Sequence, residues 1–158
     1  MIVSGLFFGD HLATYFYAMQ VSSIGIAVVS LFTFPMITTL VEPFIHKRKP
    51  KLKHILLSFL VVIGVLVIVS ESEVGESSIL GVLLGITSSI FYSFRNLIVK
   101  YKLGTYQPIP LMFYHLLITF LLMLPLSELS FQSIEPIDYF WILILTVFFT
   151  IVPHLAVI

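Results

Sequence analysis

The stretch HKRKPKLKHILLSFLVVIGVLVIVS, residues 46–70, joins a run of cations to a run of aliphatic side chains. From Ile55 to Val69 nearly every position is apolar, without the period-two alternation that a membrane β-strand requires. A helix set in lipid reads this way. Such a helix rises about 1.5 Å per residue and needs about 20 apolar residues to cross a bilayer. Lys47, Arg48, Lys49, Lys51 and Lys53 stand in front of it, and basic loops stay on the cytoplasmic side.

Outward from this run the same pattern repeats. The remaining basic residues, Arg95, Lys100 and Lys102, form a second cluster two spans further on. Glu71, Glu73 and Glu76 occupy one alternate connection, and Glu128, Glu135 and Asp138 another. Six apolar segments fit between: about 1–19, 24–45, 55–69, 79–100, 109–126 and 139–158. Gln20-Val21-Ser22-Ser23 reads as a tight outer turn, and the third segment as the shortest. Run as a zigzag, the first, third and fifth spans leave the cytoplasm and the others return. Loops 46–54 and 95–107 are thereby expected in the cytoplasm, with the chain in the cell membrane. Tyr139, Phe140 and Trp141 suit the aromatic belt at the outer mouth of the sixth span. The fold class expected is all-α, a polytopic transmembrane bundle of about six spans.

Composition agrees. Charged residues are 10% of the chain, hydrophobic ones 59%, and the mean hydropathy is +1.12. A soluble domain carries about 25% charged residues, so this chain has too little polar surface for water. Its partners are expected to be the lipid bilayer and a small-molecule substrate. The basic clusters are too small to indicate nucleic acid. With no cysteine in the sequence, disulfides and thiolate metal sites are excluded. No cofactor is implied, and oligomeric state is not legible.

Polar residues inside the spans are the candidate functional groups, because a charge at the bilayer centre costs about 2.5–3.5 kcal/mol on insertion scales. Asp10 and His11 lie midway along the first span, as a substrate contact or proton site, or else as a buried hydrogen-bonding pair. His154 follows Pro153, which removes a backbone donor and opens the sixth helix, or simply kinks it for packing. His115 reads as a satisfied interior histidine. Arg95 lies about 24 Å along a core about 30 Å thick, within reach of the inner headgroups by snorkelling. Tyr92 and Asn96 near it leave a cavity-mouth role open. Glu42 either pairs with the basic loop or lines a mouth. Ser23, Ala27, Ser30 and Phe34 on the second span, and Gly81, Gly85, Ser88 and Tyr92 on the fourth, recur at helical spacing. Such stripes of small residues usually bring helices together. Ser30 and Tyr92 are kept as lesser pathway candidates beside Asp10, His11 and His154.

Intramembrane catalysis finds no parts here. The sequence has no H-E-x-x-H and no G-x-S-x-G, and Asp10 has no second membrane-embedded aspartate to share a proton with. Non-enzymatic function is expected.

Against these motifs the chain resembles EamA-type members of the drug/metabolite transporter superfamily. The run from Gly9-Asp10-His11 to Ser22-Ser23 resembles their third helix and its turn. Ile24 through Phe34-Pro35 to Glu42-Pro43 resembles the fourth, and Ile63-Gly64-Val65 the fifth. Gly81 through Ser88-Ser89 to Tyr92 and Arg95 is similar to the start of the second repeat. Pro153-His154 matches a pair in many eighth helices. The resemblance implies a ten-helix carrier of two inverted five-helix repeats that moves small metabolites, such as amino acids, by alternating access. Residues 1–70 would be the C-terminal part of the first repeat and residues 79–158 the N-terminal part of the second. The chain is then expected to be a fragment of a longer transporter, its helices the third to the eighth. Phe7-Phe8 with His11-Leu12-Ala13, and Phe148-Phe149 with His154-Leu155-Ala156, would be inverted counterparts. The alternative is a membrane scaffold or assembly subunit that transports nothing. Proton coupling, if present, would use Asp10 or the histidines; a transport rate independent of pH and unchanged by Asp10→Asn would remove it.

Overall fold

The computed structural model describes residues 1–45, 47, 52–70, 76–126 and 135–145, and among them there is no strand. The helices are α1 (Ile2–Val21), α2 (Ile24–Leu31), α3 (Phe34–Ile45), α4 (Leu52–Ser70), α5 (Glu76–Ile98), α6 (Pro108–Met123) and α7 (Pro136–Leu145). A π-helical turn, Val99–Leu103, prolongs α5, and a 3-10 turn, Leu124–Leu126, prolongs α6.

The second span is a broken helix. Pro35 lacks the N–H that would bond to the carbonyl of Leu31, and its ring crowds that carbonyl. The backbone adapts one turn earlier: Thr33 N donates to Ser30 O at 3.2 Å, and Met36 N to Thr33 O at 3.1 Å. Ser23 caps the N-terminus of α2, its Oγ accepting from Ile26 N at 3.2 Å. The short corner between α1 and α2 follows the expected Gln20–Ser23 turn.

Helix α4 differs from the expectation. It has 19 residues and starts at Leu52 rather than Ile55. The apolar run marks where lipid begins, whereas Lys53 and His54 sustain helical backbone in the exposed first turn.

Register follows from named contacts. Along α5, Gly81 lies against Ser22, Ser88 against His11, and Phe91 and Phe94 against Phe7, so α5 runs antiparallel to α1. Gly85 meets Ser30, Ser89 meets Thr33 and Ser93 meets Phe34, so α5 runs parallel to the broken helix. Ser4 meets His115, Gly5 meets Ile118 and Gly9 meets Leu122, so α6 runs parallel to α1. These relative directions are those of alternating spans. α1 thus lies between α5 and α6, while α4 packs on α3 and α2.

Two helices among the described residues are long and apolar enough to cross a bilayer, Ile24–Ile45 taken through its break and Ser78–Leu103. The distribution of side chains carries further than length. The fully buried side chains include His115, Ser4, Ser30, Ser88, Ser89 and Ser93, whereas Phe44 is 82% exposed and Ile2 and Leu52 70%. Water would drive the reverse arrangement. Lipid tolerates apolar side chains outside and favours small and polar groups between helices.

The Gly85 contact gives a stability test. A Cβ there would lie 2.5 Å from Ser30 Cβ and 3.3 Å from Ala27 O. Gly85→Ala is expected to destabilise the bundle by about 1–3 kcal/mol, as overpacked contacts do. Adding Ser30→Gly should restore most of that loss in reversible unfolding from mixed micelles.

Candidate functional site

One face of α1 carries Ser4, Phe8, His11 and Tyr15, spaced so that successive side chains lie above one another. α5 answers with Ser88, Tyr92 and Arg95, and α6 with His115. Together they form a polar seam along the bundle.

In the middle layer, His11 Nδ1 lies 2.7 Å from Ser88 Oγ. Ser88 Oγ itself donates to His11 O at 2.9 Å. A hydroxyl has one proton, so Nδ1 of His11 must be the donor in their second contact. Nε2 is left as the open ring nitrogen. The ring of Tyr92 packs at 4.7 Å from that of His11, and Phe34 sets its edge to Tyr92 at 4.9 Å.

The layer beyond it is built by the same logic. Ser4 Oγ donates to Met1 O at 2.8 Å and lies 2.8 Å from His115 Nε2. Nε2–H of His115 is therefore the donor, and Nδ1 carries the lone pair. Arg95 Nη2 donates to that lone pair at 3.4 Å, the one role open to a group with donors only. Arg95 Nη1 donates to Asn96 Oδ1 at 2.9 Å, and the guanidinium sits 5.2 Å over the ring of Phe8. Phe8 stands between the layers, about equally far from both imidazoles, at 6.1 Å from His11 and 6.0 Å from His115.

A third set of contacts closes the break in the second span. Thr33 Oγ1 and Ser89 Oγ are 2.8 Å apart, and Ser93 Oγ donates to Phe34 O at 3.0 Å. At the far end, Lys100 Nζ pairs with Glu42 Oε1 at 2.7 Å, and Tyr101 also donates to that carboxylate.

The structure therefore sorts the residues picked from sequence. His11 and Tyr92 come together. Asp10 is half-exposed and makes no side-chain hydrogen bond to another described residue, because neighbours on a helix point about 100° apart. By spacing it shares the face of Ala13, Thr14 and Tyr17. Ala13, Thr14 and Tyr17, with Phe16, Gln20 and Met123 but without Asp10 itself, line an open groove of about 420 Å³. Ser30 is buried against Gly85, and its Oγ has no hydrogen-bond partner. His154 and Pro153 lie outside the described residues. The Arg95 guanidinium lies over Phe8 and against His115 and Asn96. Glu42 pairs with the second basic cluster. His115, Ser4 and Asn96 were not picked as site residues. The spacing of Ser4, Phe8 and His11 was the available signal.

A family model, the EamA-like transporter family, matches residues 1–70. This segment is similar to that family. Its members are transporters rather than enzymes, and they are integral membrane proteins. Among curated proteins and among solved structures, nothing matches the chain. The EamA-like segment supplies Ser4, Phe8 and His11, while Ser88, Tyr92, Arg95 and His115 come from beyond it.

Nitrogen-15 spectra of histidine-labelled protein should show His11 protonated at Nδ1 and His115 neutral and protonated at Nε2. Ser4→Ala strands a buried Nε2–H and is expected to cost about 1–3 kcal/mol of stability. A His115 signal protonated at Nδ1 would contradict the assignment.

Proposed function

We propose that this chain works in a multi-pass permease that carries a small metabolite, an amino acid or related compound, across the cell membrane by alternating access. The observation that carries this reading is the polar seam of His11, Ser88, Tyr92, Arg95 and His115 inside a bundle whose outer surface is apolar. Polar and ionisable groups are expensive in lipid and are kept where a solute or ion must pass. The EamA-like segment supports the same reading from the family side.

In this mechanism His11 and Tyr92 face the solute at mid-depth. The groove beside Asp10 gives one approach, and the Glu42–Lys100 pair holds the second and fourth spans together at their basic ends. Basic loops 46–54 and 95–107 lie in the cytoplasm under this reading. Residues 79–158 then contribute the N-terminal part of the second repeat, and rocking of the repeats about the seam alternates access. The membrane lipid and the solute are its partners, with no nucleic acid involved.

A scaffold that transports nothing needs no water at mid-depth. The sequence contains no cysteine, so His11→Cys is a single-cysteine protein without further changes. In the permease, a polar, membrane-impermeant thiol reagent is expected to modify that cysteine, and solute should slow the reaction. Complete protection under conditions where an exposed cysteine at Lys47 reacts would favour the scaffold.

A further inference from the structure

Arg95 has a positive charge, and among the described residues no carboxylate pairs with it. Its hydrogen-bond acceptors are an amide oxygen, Asn96 Oδ1, and an imidazole lone pair on His115. Its third neighbour is the face of Phe8. Its Nε is buried and has no hydrogen-bond partner among the described residues. A guanidinium has five N–H groups, and two are used.

The described acids do not reach it. Glu42 is taken up by Lys100 and Tyr101, and Asp10 lies on another face of α1. Glu135 and Asp138 flank the start of α7, where Glu135 N donates to Asp138 Oδ2. No described carboxylate is therefore paired with Arg95. An unpaired guanidinium at this depth is costly, and it is recovered when a hydrogen-bonding anion arrives. Arg95 as a residue is half-buried rather than fully enclosed.

We infer that Arg95 binds the anionic end of the solute, and that this end is a carboxylate on a flat apolar body. A guanidinium fork matches the two oxygens of a carboxylate. The walls settle the rest of the class. Phe8 lies under the guanidinium, and Tyr92, one turn away on α5, carries Phe34 on its edge. A dianionic phosphate would ask for more than one cation, and His115 already spends its N–H on Ser4. Such walls suit a planar hydrocarbon body instead. The inference deepens the permease reading and rests on it for the word solute.

Benzoate is the probe, and equilibrium binding the measurement, so that no transport is required. The full chain in phosphatidylcholine nanodiscs is expected to bind radiolabelled benzoate saturably. Unlabelled benzoate should displace it, whereas benzamide, of the same shape without charge, and inorganic phosphate should not. Arg95→Gln is expected to weaken binding about tenfold or more, the loss of a charge-assisted contact. Arg95→Lys should keep part of it, which separates loss of charge from loss of fold. Absence of saturable binding, displacement by benzamide or phosphate as well as by benzoate, or undiminished binding by Arg95→Gln would each overturn the assignment. Arg95-dependent benzoate binding together with an inert His11→Cys would instead remove transport and leave the anion site standing.

Discussion

The close approach of α5 to α1 and α2 is the constraint on which the other contacts depend. Gly81 and Gly85 leave no room for a methyl group, because the backbone and Cβ atoms of Ala18, Ser22, Ala27 and Ser30 occupy that space. Without a hydrophobic force between helices in lipid, dispersion contacts and interhelical hydrogen bonds must hold them. Both fall away steeply with distance. The glycines therefore do more than save volume: they set the spacing at which Ser88 can reach both the ring and the carbonyl of His11. Gly5 and Gly9 do the same for α6, where Ile118, Leu122 and Thr119 press on α1.

Once the helices are that close, Ser4 and Ser88 each meet a fixed partner on another helix. Ser4 and Ser88 turn their single protons onto backbone carbonyls and so leave their oxygens as acceptors. That choice fixes which nitrogen of each histidine carries a proton. The two imidazoles are consequently unlike. His115 is used on both sides, between Ser4 and Arg95, and so serves as a support. His11 keeps Nε2 open and stands beside Tyr92, the arrangement on which the permease proposal draws. In a medium of low dielectric such polar contacts are strengthened when made and costly when missing.

Much of the helical layout was legible in sequence, because lipid imposes length and apolarity on a span and charge on its flanks. The turn expected over Gln20–Ser23 falls at Ser22-Ser23, whereas the second span, expected as one helix over 24–45, is broken before Pro35. The start of α4 was misread because helical backbone outlasts the apolar run. Within the site, His11 and Tyr92 stood out as polar residues in apolar surroundings. His115 looked like an isolated interior histidine, since its partners Ser4 and Arg95 come from positions 111 and 20 residues away. Arg95 was read through the nearest headgroups because sequence gives depth but not azimuth. Whether a long cation snorkels or folds inward depends on what the neighbouring helices offer, and here they offer Phe8 and a lone pair.

The break in the second span belongs to the same design. Pro35 deprives Leu31 O of its helical donor, and the chain passes through Phe32 and Thr33 before α3 resumes. Loose backbone groups in lipid have no water to turn to. α5 supplies side chains at that level: Ser93 donates to Phe34 O, and Ser89 meets Thr33. Phe34, the first residue after the break, is also the one that sets its ring against Tyr92. The angle between α2 and α3 is therefore coupled to the aromatic wall of the middle layer. A rotation of α3 about the break has to exchange the Ser93 and Thr33 hydrogen bonds, and it carries Phe34 across the ring that faces His11. The break and the His11–Tyr92 layer thus sit at neighbouring levels of one helix: Ser89 and Ser93 of α5 hold the break, and Ser88 holds His11.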